Sequence, residues 1–119
     1  MGFDAHPLLL GAASNSETIG YFVSGKMDEA RVWNVSLPQS VILSSMNTRL
    51  NGNEAGLVGY WGFEEGTGLA AADLTSNHND GDLGVAAGMR PSWDATDGAP
   101  LVNEAGAASV TSAIDRGLN

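Results

Sequence analysis

Met27-Asp28-Glu29-Ala30-Arg31-Val32-Trp33-Asn34 and Gly56-Leu57-Val58-Gly59-Tyr60-Trp61-Gly62-Phe63-Glu64 are the two stretches whose reading decides the fold. The first alternates. Met27, Glu29, Arg31 and Trp33 fall on one face of an extended chain, and Asp28, Ala30, Val32 and Asn34 on the other. Glu29 and Arg31, two apart, are placed to pair with each other and to pack beside Trp33. In the second stretch Leu57, Gly59, Trp61 and Phe63 point one way, while Val58, Tyr60 and Glu64 point the other. A period of two, with aromatics and flanking turn residues, predicts strands, and the interior glycines predict close approach by a neighbouring group.

Outward from these strands the pattern stays short and punctuated. Ile19 to Val23 is an apolar run ended by the turn pair Ser24-Gly25 and predicts a further strand. Between the two long strands the sequence predicts a helix. Ser36 and Gln39 have capping-box spacing and Pro38 sits early, where its missing N–H costs little. Leu37, Val41, Leu43, Met46 and Leu50 supply its apolar side, and Asn51-Gly52 ends it. Residues 65–82 read as a loop with the tight-turn signal Asn79-Asp80-Gly81. Leu83 to Val85 and the stretch around Trp93 predict weaker strands, and after Pro100 an Ala-, Gly- and Ser-rich tail begins. One short helix among many short strands, with 16 glycines scattered singly, predicts an all-β protein: an antiparallel β-sandwich.

Composition bounds the function. The 119 residues suffice for one modest core, and 43% apolar content argues against wholesale disorder. Fourteen acidic residues face five Lys/Arg, a net charge of −9 that repels phosphate backbones and speaks against nucleic-acid binding. No run approaches a membrane span, and Met1 is followed by no basic and apolar signal segment, so an exported protein would carry its signal elsewhere in a longer chain. The absence of cysteine removes disulfides, thiolate catalysis and sulfur-ligated zinc.

Gly25 to Asn34 (GKMDEARVWN), together with Leu37, Pro38 and Ile42, resembles the strand and helix near the C-terminal end of laminin-G-like modules. These belong to the concanavalin A-like lectin/glucanase superfamily. Gly56 to Gly68 (GLVGYWGFEEGTG), Asp73 and Asn77 to Leu83 (NHNDGDL) resemble the same family's N-terminal strand and turn-rich sequel. The likeness spans residues 8–101 and implies a jelly roll, whole or partial. The order of the two patterns is reversed relative to one complete module. It implies that residues 1–55 are the end of one repeat, residues 56–101 the start of the next, and residues 102–119 a linker or frayed strand. A permuted module is the other arrangement compatible with this order. Because first and last strands of a jelly roll are neighbours, Gly56–Glu64 is expected to pair with Met27–Asn34. Strand edges and apolar surface would then remain exposed, inviting self-association or completion by flanking sequence.

Candidate sites are few. Glu64 and Glu65 are adjacent, so on a regular strand they face opposite sides and do not form a glycosidase pair. The Glu-x-Asp spacing of the superfamily's glucanases is also lacking, and the expectation is a non-catalytic protein. Asp73, Asn77, Asn79, Asp80 and Asp82 offer hard oxygen ligands within ten residues and form a candidate calcium site, with turn formation as the competing reading. Trp33 and Trp61 alternate with apolar residues and are expected in the core, which leaves Trp93 as the candidate sugar-stacking residue. His6 and His78 have no catalytic partner at a telling distance and read as surface residues; Asn34-Val35-Ser36 is a lone glycosylation sequon. The expected function is extracellular binding of a glycan or a surface protein, as an adhesion module of a larger chain. The alternatives are a structural spacer and an appendage of a polysaccharide-degrading enzyme.

Overall fold

A computed structural model describes residues 7–15, 18–84, 90–94, 98 and 101. Its regular elements are β1 (Ala13–Asn15), β2 (Thr18–Gly20), β3 (Ala30–Trp33), α1 (Gln39–Ser45), β4 (Leu57–Trp61), β5 (Ala70–Ala71) and β6 (Gly81–Asp82). They form three two-stranded antiparallel sheets, β1-β2, β3-β4 and β5-β6. The chain is thus strand-rich with one short helix, and among the described residues no sheet closes into a barrel.

The expected pairing of the two long strands is present. Ala30 lies opposite Trp61, Arg31 opposite Tyr60 and Val32 opposite Gly59, after which the register shifts so that Trp33 faces Leu57. The shift leaves an extra residue on β4, a bulge that bends the strand. Both strands are shorter than their sequence patterns because single residues leave the extended region. Glu29 has φ 53° and Phe63 has φ 54°, left-handed values that interrupt a ladder at either end. Similarly, Tyr21 at φ 52° breaks the run Ile19–Val23, so β2 ends at Gly20 and one further bond, Val23 N–H to the Gly11 carbonyl, resumes the hairpin.

The helix is shorter than expected and starts later. Ser36 is not its cap; Pro38 is the N-cap, with no side-chain cap bond, and its carbonyl accepts from Val41 and Ile42. The reason is steric: a residue before proline is driven to extended backbone, so Leu37 and Ser36 stay outside the helix. Seven residues are too few for a helix to persist on its own. Arg31 of β3 reaches its C-terminal end instead, donating from Nη1 to the Ser45 carbonyl (2.7 Å) and from Nη2 to the Thr48 carbonyl (2.6 Å). These are orphan acceptors of the last turn, so the strand caps the helix. No residue of α1 is buried.

Among the described residues the buried apolar ones are Leu57, Tyr60, Trp61, Ala71 and Leu101. Trp61 is in the core as expected, while Trp33 is half-buried. The close approach foreseen from the glycines of β4 comes from the same strand. The Trp61 indole folds back over Gly59, where a Cβ would stand 2.5 Å from Cη2 and 2.9 Å from Cζ3. The motif Asn79-Asp80-Gly81 is not a two-residue hairpin turn. Gly81 opens β6 and pairs with Ala71, so the ladder begins two residues before the expected Leu83. No strand occurs at 90–94; Val85, His6 and the tail at 102–119 lie outside the described residues.

Gly59→Ala is therefore expected to displace the indole and lower stability by about 1–3 kcal/mol, as overpacking does. Urea unfolding followed by tryptophan fluorescence measures it; an unchanged midpoint would mean that the indole does not rest on this backbone.

Candidate functional site

Two clusters of polar side chains flank β4. The first is built on Asp73, which is 2% exposed. Its Oδ1 accepts from the Tyr60 N–H (3.1 Å), the Thr75 N–H (3.0 Å) and the Thr75 hydroxyl (2.9 Å), and its Oδ2 accepts from the Asn79 N–H (2.9 Å). Four donors match the acceptor capacity of one carboxylate. Burial alone would raise this carboxyl, but bonds from Thr75, Asn79 and Tyr60 outweigh it and hold the group below its ordinary value.

The other members of the expected calcium set are also engaged with the chain. Asp80 Oδ1 accepts the Asp73 N–H, Asn77 Nδ2 donates to the Val58 carbonyl, and Asp82 Oδ1 accepts the Gly84 N–H. The Asn79 carbonyl accepts the Trp61 indole N–H at 3.1 Å. In addition the Leu74 N–H donates to the Tyr60 carbonyl, and Trp61 bridges Asp73. The segment 73–79 thus covers the edge of β4 that β3 leaves open, supplying partners for backbone groups that would otherwise be buried unpaired. Among the described residues Asp73, Asp80 and Asp82 do not form a set of three mutually close carboxylates.

The second cluster lies at the start of β3 and was not singled out from sequence. Asp28, Glu29 and Glu64 each place a carboxylate oxygen within 4.8 Å of the other two. Glu29 Oε2 accepts from Arg31 Nη2 (3.0 Å) and from the Tyr60 hydroxyl (2.7 Å), and Arg31 lies 5.5 Å from the centre of the Tyr60 ring. The pairing of Glu29 with Arg31 was legible from their two-residue spacing. Burial, then the bond to Glu29, pushes the Tyr60 phenol up to about 12. Glu64 pairs with Arg49 at 2.7 Å, whereas Glu65 turns to the Ala72 N–H, so the adjacent carboxylates serve different partners.

Trp93 is half-buried and its indole N–H donates to the Gly68 carbonyl at 2.9 Å; Lys26 pairs with Asp94 beside it. His78 is exposed, with φ 51°. An open cleft of about 450 Å³ is lined by Leu69, Ala70, Gly81, Asp82, Gly84 and Arg90, with Arg90 Nε bound to the Gly84 carbonyl. Comparison of the chain with protein-family models, curated proteins and solved structures gave no match.

Two expectations follow. Asp73→Ala leaves three backbone N–H groups without their acceptor, and is expected to cost several kcal/mol at about 1–3 kcal/mol per buried orphan; equilibrium denaturation measures it, and a loss below 1 kcal/mol would remove Asp73 from this role. The pH profile follows from linkage. The stability lent by the depressed Asp73 carboxyl is present above its unfolded value of 3.8 and is lost as pH falls through the lower folded value. That lent by Tyr60 is full below its unfolded value of 10.0 and is lost as pH rises through about 12. A stability plateau between these limits, with its acid limb reduced in Asp73→Asn, is the expected result of chemical denaturation at stepped pH.

Proposed function

We propose that this chain is a non-catalytic, extracellular association module, part of a laminin-G-like β-sandwich that is completed by another segment of the same kind. The apolar surface left uncovered carries this reading. Val41, Ile42, Leu43 and Met46 on and beside α1 are 40–60% exposed, and Ile19, Tyr21, Phe22 and Val23 add a second exposed apolar run. Exposed large apolar side chains grouped along two short stretches of chain favour an interaction face. Among the described residues β3 is hydrogen-bonded to β4 alone, which makes its other edge a candidate docking edge, and Arg31 ties this strand to the helix.

The sequence likeness supports the sandwich and the location outside the cell. The carboxylates of the chain support a non-catalytic role, because Asp73, Glu64 and Glu65 each hold a structural partner. A protein partner is favoured over a glycan. The indole N–H of Trp93, the candidate sugar platform, is already bound to the Gly68 carbonyl, whereas many large apolar side chains are exposed.

A second copy of the chain serves as the probe partner. The net charge of −9 repels like copies, so screening is expected to strengthen association. Sedimentation velocity across a concentration series, in about 0.15 M and then about 0.5 M NaCl, should show mass rising with concentration, more so at the higher salt. Leu43→Glu on the exposed helix should weaken association at least about tenfold, or ~1.4 kcal/mol, with the melting temperature retained. A monomer under every condition sinks the proposal, and so does glycan binding that is lost in Trp93→Ala without any self-association.

A further inference from the structure

We propose that Asn51-Gly52, in the loop between α1 and β4, is a self-modification site at which Asn51 loses its amide nitrogen with Glu54 as the base. It is the one Asn-Gly pair in the sequence. The backbone nitrogen that follows an asparagine can attack the side-chain carbonyl carbon. Glycine shields that nitrogen least, because it has no Cβ. Asn51 is exposed and is held through its backbone N–H, which donates to Glu54 Oε1 at 2.7 Å. The Gly52 N–H donates to the other oxygen, Glu54 Oε2, at 2.9 Å. A carbonyl acceptor would only tie this N–H down, whereas a carboxylate at hydrogen-bond distance can also take its proton. Burial alone would raise the Glu54 carboxyl, but backbone bonds from Asn51, Glu54 and Gly52 and the charge of Arg31 hold it below its ordinary value. It is therefore ionised and able to accept.

The step balances with water as its co-reactant. Glu54 Oε2 takes the Gly52 proton, the freed nitrogen bonds to Asn51 Cγ, and a succinimide ring closes as the bond from Cγ to the side-chain nitrogen breaks. That nitrogen leaves as ammonia, carrying the proton returned by Glu54. Water then opens the ring at either carbonyl, giving aspartate or isoaspartate, with no change of oxidation state. The isoaspartyl product carries one more carbon in its backbone, and the fold has no slack for it. Gly52 is buried at φ 95°, and a Cβ there would collide with the Leu74 carbonyl oxygen, so the two backbones are in direct contact. This joint lies between two anchors of Tyr60. The Leu50 N–H donates to its hydroxyl (3.3 Å) and the Leu74 N–H to its carbonyl (2.8 Å). Lengthening the chain at position 51 pulls on both, and the new carboxylate repels Glu54 beside it. The reaction is thus a slow loosening of the Tyr60 network, independent of the association proposed above.

The test uses the whole 119-residue chain, aged at physiological temperature in mildly alkaline buffer. Peptide mass spectrometry should show the mass gain of amide-to-acid conversion at Asn51 before any other asparagine, with isoaspartate in the product and ammonia released in equal amount. Asn51 should react faster in the folded chain than in chain unfolded by urea, because only the fold holds Glu54 on the Gly52 N–H. Glu54→Gln should slow the reaction of the folded chain at least about tenfold, since a positioned base contributes at least that much. The melting temperature should fall as the modified fraction grows. Asn51→Gln, whose longer side chain closes a ring far more slowly, should keep its melting temperature through the same ageing. An Asn51 that stays intact while another asparagine reacts overturns the proposal. A reaction slower in the folded chain than in urea also overturns it, by making the Glu54 bonds a lock on Gly52, not a route for its proton.

Discussion

Tyr60 is fully buried, and the order of its neighbourhood depends on satisfying its polar atoms. Its N–H donates to Asp73, its carbonyl accepts from Leu74, and its hydroxyl donates to Glu29 while accepting from the Leu50 N–H. Through these bonds one residue joins β4 to the loop after β5, to the start of β3 and to the segment after α1. A phenol buried without partners would cost several kcal/mol, so the four regions are held in register by a single requirement for satisfaction. Arg31 extends the same network by stacking on the Tyr60 ring and capping the helix.

The polar network compensates for a small core. Among the described residues few apolar side chains are buried, and many large apolar side chains are exposed. In such a domain, hydrogen bonds that fix the backbone around one aromatic pair contribute a large share of specificity. Asp73 illustrates the division of labour: its carboxylate fixes a loop along the edge of β4, which turns a cluster of turn-forming residues into edge protection. The same economy leaves apolar side chains of α1 exposed, among them Val41, Ile42 and Leu43.

Residues conspicuous in sequence and residues conspicuous in space differ here. The acidic and amide residues between Asp73 and Asp82 stand out as a run, yet the side chains of Asp73, Asn77, Asp80 and Asp82 each turn to the chain's own backbone. Asp28, Glu29 and Glu64 are separated by more than thirty positions at the widest and come together only when β3 and β4 pair. The one signal available beforehand was that both acidic pairs, Asp28-Glu29 and Glu64-Glu65, lie at ends of strands expected to be neighbours. Trp93 followed the same rule in reverse: alone in sequence, it proves tied to the Gly68 carbonyl.

What the sequence by itself determined is the local alphabet: strands within 27–34 and 56–64, one helix between them, the Glu29–Arg31 pair, and the pairing of the two strands. These follow from side-chain period, from proline and glycine, and from spacing along one face, all of which act over a few residues. Tertiary structure decided where each strand stops, because left-handed backbone at Glu29 and Phe63 is set by the contacts that those turns permit. It also decided which carboxylate is saturated and which retains a buried oxygen without a donor. Hydrogen-bond satisfaction is a property of groups distant in sequence, and it exists only once the strands have brought them together.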